Sequence, residues 1–158
     1  MRSKVVSNDE VRKVRAYHEA GHAVYGWSRG LIIRGVTVVC IDRVTGGTDY
    51  LSPLPPSLKR DVAFALAGIA SEIVHFGAKR PATFGGDDWS VVADLAKTGF
   101  VNVRKIMDLV KMSLSTADNR KRVIAVAEAL LKYETLDGEQ FAAHCPGKPT
   151  ITTNWKSP

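Results

Sequence analysis

The histidine spacing in the segment 16–23, AYHEAGHA, constrains the fold of this chain more than any other feature. His18 and His22 are four residues apart, and the apolar and small residues around them recur at intervals of three and four, as in an amphipathic helix. Helical residues four apart are separated by about 6 Å along the axis and project from one face. The sequence therefore predicts a first helix that carries both imidazoles on or beside its buried stripe.

The order His18-Glu19-x-x-His22 has a chemical meaning when the two rings converge. Neutral imidazole is a good zinc ligand, and two nitrogens at about 2.0–2.1 Å from the ion supply half of a tetrahedral site. Glu19 lies one residue round the helix, where its carboxylate can take a proton from a zinc-bound water without binding the metal. The segment predicts a zinc site with a general base beside it. The alternative is a buried histidine pair that binds no metal.

A catalytic zinc site also needs a third protein ligand and an open fourth position. The remaining groups of suitable chemistry are Cys40, Glu72, His75, Asp88, His144 and Cys145. His75 lies near the end of a predicted helix, where a surface histidine is the commoner interpretation. Asp88 opens a predicted helix after a Gly-Gly loop, but a carboxylate there also serves as an N-cap. Spacing alone leaves the third ligand open.

Around this segment the hydrophobic pattern predicts a mainly α (α+β) domain with a small β-hairpin or sheet after the first helix. Ser7 and Glu10 fit a capping box for that helix, and Gly30 ends it. Residues 34–51 are rich in β-branched residues around a Gly-Gly pair at 46–47, which predicts a hairpin or two short strands. The small sheet is therefore expected directly after the first helix.

Further helices are predicted after the hairpin. Ser57 caps the first of these, Gly77 ends it, and Gly99 separates the next two. The predicted bounds are 57–77, about 88–98, 102–114 and about 118–134, with one short helix at 135–144. The pattern is thus dominated by amphipathic helices.

Composition favours a single globular domain. The chain has 158 residues, of which 45% are hydrophobic, and this suffices for one core. We expect one domain over 1–145 and a flexible tail over 146–158. No stretch approaches the roughly 20 apolar residues of a membrane-spanning helix, and no apolar segment follows the basic start, so we predict neither a span nor a secretory signal. Cys40 and Cys145 lack CxxC spacing, which favours free thiols in a reducing cytoplasm.

The charge of the chain is basic. It carries 22 Lys and Arg against 16 Asp and Glu, a formal charge of +6. A basic surface can attract nucleic acid, acidic lipid or acidic protein. No nucleic-acid signature accompanies the charge, so a well-solvated surface is the favoured interpretation and no nucleic-acid partner is expected. A basic nucleic-acid binder is a rival hypothesis that rests on charge alone.

Taken together, these segments resemble the peptidase domain of the FtsH-type ATP-dependent zinc metalloproteases. The resemblance covers about residues 10–142 in the family's order. The segments that carry it are HEAGHAV at 18–24, RGVTVVCID at 34–42, GGTDYLSPLP at 46–55, ALAGIASEIVHFG at 65–77, GGDDWSVVADLAK at 85–97 and LLKYETLDGEQF at 130–141. The resemblance implies a helical, zincin-like metallopeptidase domain.

The resemblance also implies roles for particular residues. His18 and His22 match the family's two histidine ligands, and Glu19 matches its catalytic glutamate. Asp88 matches the aspartate that is the family's third zinc ligand, a choice that spacing had left open. Glu72 matches the glutamate of the family's small-residue helix, and a structural or supporting role is implied for it. The implied reaction is hydrolysis of an extended polypeptide that pairs with an exposed strand.

The sequence departs from the family's pattern at several positions. No GxxxxGK[ST] segment occurs in these 158 residues, Ile69 stands where the family usually has an arginine, and Ser90 and Val91 stand where it usually has basic or acidic residues. We therefore expect a cytoplasmic zinc-dependent metalloendopeptidase that acts on unfolded or flexible polypeptides without an ATPase of its own. The implied partners are further copies in a hexamer and a separate ATPase or adaptor. The alternative is a non-enzymatic or regulatory protein-interaction module that retains a structural zinc site.

Overall fold

The computed structural model describes residues 8–41, 44–77 and 86–147, and within these ranges the chain forms six helices and three strands. The helices are α1 (Asn8–Ser28), α2 (Leu58–Phe76), α3 (Gly86–Thr98), α4 (Val103–Ser115), α5 (Ala117–Tyr133) and α6 (Gly138–His144), and the strands are β1 (Ile32–Ile41), β2 (Val44–Leu51) and β3 (Thr135–Asp137). The predicted mainly α architecture with a small sheet after the first helix is confirmed. The predicted cap Ser7 and residues 148–158 of the predicted tail lie outside the described residues, and the domain bounds stay a prediction.

Helices α1 and α2 form the centre of the fold and cross at small residues. A Cβ at Gly21 would lie 2.8 Å from the carbonyl oxygen of Ala67, so only glycine fits at this crossing. The hydroxyl of Ser71 donates to the carbonyl oxygen of Tyr17 at 2.7 Å. This contact and the close approach fix the position of α1 along α2.

Helix α2 has the ends that its sequence predicts. The side chain of Ser57 accepts a hydrogen bond from the backbone N–H of Arg60, and Gly77 ends the helix with a φ of 83°. Helices α4 and α5 cover the rest of the core with apolar side chains, which are Ile106, Val110, Leu114, Val123, Val126 and Leu130. Each such side chain contributes about 1.5–3 kcal/mol when it is fully buried. Within the described ranges no helix combines the length and the apolar character needed to cross a bilayer.

The three strands form an antiparallel sheet in the order β2-β1-β3. The strands β1 and β2 pair as far as Ile41 and Val44. The predicted hairpin is therefore present, and both glycines of the pair at 46–47 lie inside β2. Gly46 has a φ of +88° and lies against Glu19 of α1. The missing side chain at this position therefore allows β2 to approach α1 closely and does not form the turn.

The segment 135–144 differs from the prediction in its first three residues. Thr135–Asp137 pairs with β1 as a third strand, with Leu136 buried opposite Val36. The short helix α6 begins only after Asp137, which forms a capping box with Gln140. A three-residue strand formed by long-range pairing leaves no local pattern, and this is why the sequence predicted helix there.

Candidate metal centre

The three predicted ligands His18, His22 and Asp88 meet where α1 faces the start of α3. The Nε2 atoms of the two histidines are 3.2 Å apart. Asp88 Oδ2 lies 2.9 Å from Nε2 of His18 and 3.3 Å from Nε2 of His22. Ligand atoms bound to one tetrahedral zinc ion are about 3.3 Å from one another, given zinc–ligand distances of about 2.0–2.1 Å. The three donor atoms thus have the mutual separations of ligands that share one ion.

Hydrogen bonds on the far side of each ring orient the two imidazoles. Nδ1 of His22 donates to the carbonyl oxygen of Phe64 at 2.9 Å, and a carbonyl can only accept, so this nitrogen carries the proton. Nδ1 of His18 lies 2.6 Å from Oε1 of Glu72, a carboxylate that is itself buried. In the neutral tautomers that these contacts favour, both Nε2 lone pairs face Asp88.

In these tautomers Nε2 of His18, Nε2 of His22 and Oδ2 of Asp88 are all acceptors, and acceptors this close repel one another unless a proton or a cation lies between them. Burial lowers the pKa of His18, but hydrogen bonds to Asp88 and Glu72 outweigh it and raise the pKa to about 9. Burial raises the pKa of Asp88, but hydrogen bonds to His18 and His22 outweigh it and hold the pKa well below its usual range. A cation and a proton on His18 are therefore alternatives for the same position.

Gly68 on α2 leaves the space that a metal ion would need. A Cβ at this residue would clash with Nε2 of His18 and would lie 2.5 Å from Nε2 of His22. A side chain there would fill the cradle beside both donor nitrogens. The chemistry of the donor set and this cradle both fit a zinc ion held by His18, His22 and Asp88.

Glu19 lies beside this cluster and is almost completely buried, with 4% of its surface exposed. Burial raises the pKa of Glu19, while electrostatic interactions with His22 and His18 act in the opposite direction. A carboxylate that holds a proton more readily than usual is suited to accept one at neutral pH. The backbone of Gly46 on β2 lies close to the carboxylate of Glu19.

An aromatic contact joins β2 to the cluster. The ring of Phe64 lies 5.3 Å from the His22 ring and 4.6 Å from the Tyr50 ring, measured between centroids. Gly46 and Tyr50 are an even number of residues apart and both face the helices, as alternation along a strand requires. One face of β2 therefore runs from the carboxylate of Glu19 to the neighbourhood of a predicted ligand.

Of the other residues that the sequence offered as ligands, Glu72 contacts Nδ1 of His18, and the side chain of Cys40 lies outside the described residues. His75, His144 and Cys145 are not part of the cluster. His75 packs against Tyr17 with ring centroids 4.9 Å apart, and burial, followed by the charge of Arg120, lowers its pKa to about 4. Cys145 is buried behind α6, where burial raises the pKa of its thiol to about 12. Within the described ranges, His18, His22 and Asp88 are the one group of three or more His, Cys, Asp or Glu close enough to share an ion.

Sequence reasoning missed two contributors to the site, Gly68 and the carbonyl of Phe64. The small residues of ALAGIA at 65–70 indicate that another element packs closely against α2. They do not indicate that Gly68 faces the two histidine rings. The carbonyl of Phe64 is a backbone group, and the identity of a residue carries no signal for such a role. Both become visible only when α1 and α2 are placed together.

The sequence is similar to curated ATP-dependent zinc metalloproteases. It is 35% identical over 105 aligned positions to the mitochondrial inner membrane m-AAA protease component YTA10 of Saccharomyces cerevisiae. This alignment covers 60% of this chain and 13% of the relative. It is 28% identical to the ATP-dependent zinc metalloproteases FtsH of Lactococcus lactis and of Leuconostoc mesenteroides, which cover 82% and 85% of this chain and 26% of each relative. No family model matches the sequence.

These relatives confirm the resemblance to FtsH-type metalloproteases. The chain spans between 13% and 26% of the length of the relatives described above. The activity of those whole proteins is therefore not transferred to this chain by similarity alone.

Proposed function

We propose that this chain is a zinc-dependent metalloendopeptidase. The observation that carries the proposal is the convergence of His18 Nε2, His22 Nε2 and Asp88 Oδ2 at 2.9–3.3 Å from one another. The buried carboxylate of Glu19 lies next to this group. Relatives described as zinc metalloproteases support the same reaction class.

In this proposal His18, His22 and Asp88 would hold Zn²⁺, and a bound zinc ion would supply Lewis-acid chemistry, which lowers the pKa of a water and polarises the scissile carbonyl. Glu72 and the carbonyl of Phe64 keep the two rings turned toward the ion through their Nδ1 atoms. The negative charge of Asp88 lowers the net charge of the centre. No ligand then has to reorient when the metal binds, because the three donors already face one another.

Glu19 is the proposed general base. Its carboxylate takes a proton from the attacking water and passes it to the nitrogen of the leaving amine, so the proton is conserved over the reaction. Burial favours the protonated carboxyl that must exist between these two transfers. The same carboxylate thus acts first as a base and then as an acid.

The proposed substrate is an unfolded or flexible polypeptide bound in extended form along β2. Among the described strands, in the order β2-β1-β3, β2 lies at an edge, so one row of its backbone N–H and C=O groups is not paired with another described strand. The same strand contacts Glu19 through Gly46 and approaches His22 through Tyr50 and Phe64. A chain paired with β2 would therefore pass the metal centre.

The proposed assembly and partners come from the relatives. The relatives are described as ATP-dependent proteases, and the 158 residues contain no GxxxxGK[ST] segment. We propose that ATP-driven delivery of substrate comes from elsewhere, either another part of a longer protein or a separate ATPase or adaptor, and that the peptidase units form a homo-oligomer, a hexamer by analogy. The cytoplasmic location stays a prediction.

The test compares the purified, zinc-loaded chain with its Glu19→Gln variant on casein. We expect about one zinc per chain in both proteins and a loss of cleavage by about 10²- to 10⁴-fold in the variant, since Gln cannot accept the proton. Equal cleavage by both proteins would show that the activity does not come from this centre. Bound zinc without cleavage by the unsubstituted chain would instead favour a structural zinc module.

A further inference from the structure

The backbone of β2 lies directly against the carboxylate of Glu19 at Gly46. A Cβ at this residue would lie 2.6 Å from Oε1 of Glu19 and 2.8 Å from the carbonyl oxygen of Thr37. Both distances are well below those that real Cβ atoms show. Gly46 also has a φ of +88°, in the left-handed region that residues with a Cβ rarely adopt. Two independent features therefore require glycine at position 46.

The sheet itself holds Gly46 in this place. Thr37 pairs with Gly47 and Cys40 pairs with Thr45, so two residues of β1 face Gly46 alone. This is a β-bulge, and a bulge bends the strands and increases their local twist. On its other side β1 is anchored at the same level to the turn between α5 and β3, where the N–H of Val38 donates to the carbonyl oxygen of Glu134 at 2.9 Å. The approach of β2 to α1 is thus part of the framework rather than a loose contact.

We propose that Gly46 is a positioning residue for Glu19. Its backbone occupies one side of the carboxylate and removes the orientations in which the side chain would swing toward β2. A general base must lie within hydrogen-bond reach of the proton it takes, and a displacement of about 1 Å in such a group costs about 10²-fold in rate. The inference rests on the proposed function, because the orientation of Glu19 matters to catalysis only if Glu19 is the base.

The first test is Gly46→Ala, with Gly77→Ala as its matched control. Gly77 has a similar φ of +83°, but a Cβ there meets no atom of the described residues within 4 Å, so this variant reproduces the backbone strain without the contact to Glu19. We expect Gly46→Ala to retain about one zinc per chain and a KM within about twofold of the original, with kcat for peptide cleavage about 10²-fold lower. We expect Gly77→Ala to retain the original kcat, although it should lose about as much thermal stability as Gly46→Ala.

The second test measures the contact without relying on activity. Gly46→Ala and Gly77→Ala are each made in the original chain and in a Glu19→Ala background, and urea unfolding is followed by circular dichroism. Because the conflict with Oε1 disappears in that background, Gly46→Ala should change the unfolding equilibrium constant at least about threefold less there. Gly77→Ala should change the unfolding equilibrium constant by the same factor in the original chain and in the Glu19→Ala background. A Gly46→Ala chain that folds only together with Glu19→Ala is the extreme form of the expected result.

The outcomes separate the two proposals. No cleavage by the zinc-loaded, unsubstituted chain contradicts the proposed function, while the unfolding measurements still report the contact. Unchanged kcat in Gly46→Ala, loss of zinc from that variant, or an equal cost of the substitution in both backgrounds overturns the role of Gly46.

Discussion

Gly68 determines whether the proposed metal centre can exist, although it offers no ligand. Its missing side chain leaves the space next to Nε2 of both His18 and His22. A methyl group there would have to displace one of two rings that are each fixed by a hydrogen bond at Nδ1. Helices α1 and α2 have little freedom to shift relative to each other, because they also approach closely at Gly21. At the scale of single residues, the centre thus depends on an absent Cβ as much as on its donor atoms.

We predict that Gly68→Ala lowers zinc affinity by about 10- to 100-fold, the range seen when groups that support metal ligands are removed. Competition with a chromogenic chelator measures the affinity. Gly47→Ala is the control, since a Cβ there meets no atom within 4 Å in the part of the chain that the structure describes, and we expect it to bind zinc as the original chain does. Unchanged affinity in Gly68→Ala would contradict the cradle.

We predict that the thiol of Cys145 resists alkylation in the folded protein. Burial raises its pKa to about 12, so at pH 8 only about one thiol in 10⁴ is the reactive thiolate. In a Cys40→Ala background, mass spectrometry after treatment with iodoacetamide should find an unmodified native chain and a modified urea-unfolded chain. Rapid labelling of the native chain would contradict the burial of this residue.

The residues of the centre were predictable to different degrees. His18, Glu19 and His22 stand within five positions of one helix, so periodicity alone indicates that the two histidine side chains share a face. Asp88 comes from a separate helix, and its spacing equally suits an N-cap, so only the resemblance singled it out. The structure brings it within 3.3 Å of both histidines. Its role as a ligand stays a prediction that the zinc measurements test.

At the scale of elements, the end of α5 contains an unusual backbone conformation. Glu134 has a φ of 65° at the C-cap, although it is not a glycine. Its N–H still donates to the carbonyl oxygen of Leu130, and its carbonyl accepts from Val38, so the turn joins α5 to the sheet. Its side chain forms an exposed ion pair with Arg12 at 3.1 Å. The left-handed conformation costs about 1–2 kcal/mol for a residue with a Cβ.

We therefore predict that Glu134→Gly raises the free energy of unfolding by about 0.5–1 kcal/mol, because it relieves this strain and an exposed ion pair contributes little in return. Urea unfolding measures the change. Glu134→Ala, which keeps the strain and loses the ion pair, should be no more stable than the original chain. A less stable glycine variant would mean that the ion pair outweighs the backbone strain.

Elements were predictable where their signals are local. Ser57 and Gly77 mark the ends of α2 correctly, since capping depends on residues next to the helix. β3 was missed because Thr135–Asp137 is a strand only through its pairing with β1, about a hundred residues earlier in the chain. The approach of Gly46 to Glu19 on α1 was not predicted for a related reason, because a contact between distant parts of the chain leaves no local pattern.

At the scale of the whole molecule, the proposed ligands connect α1 to α3, and Asp88 is 66 residues from His22. We predict that zinc at about 100 times its Kd stabilises the fold by about 2.7 kcal/mol and raises Tm by about 5–10 °C. Differential scanning fluorimetry with zinc and with a chelator measures this. Glu19→Gln should show the same shift, and Asp88→Ala a much smaller one. An equal shift in Asp88→Ala would exclude Asp88 as a ligand.

The separation of the ligands also has a consequence for the order of folding. A pair of histidines on one helix can assemble as soon as that helix forms, but Asp88 reaches them only after the chain between α1 and α3 has closed into a large loop. In the proposed site, high-affinity uptake of the ion is therefore a late event, which reports the completed tertiary structure rather than the formation of α1. A nascent or damaged chain with an intact first helix would remain without metal, so the proposed hydrolytic activity would be withheld until the molecule is whole.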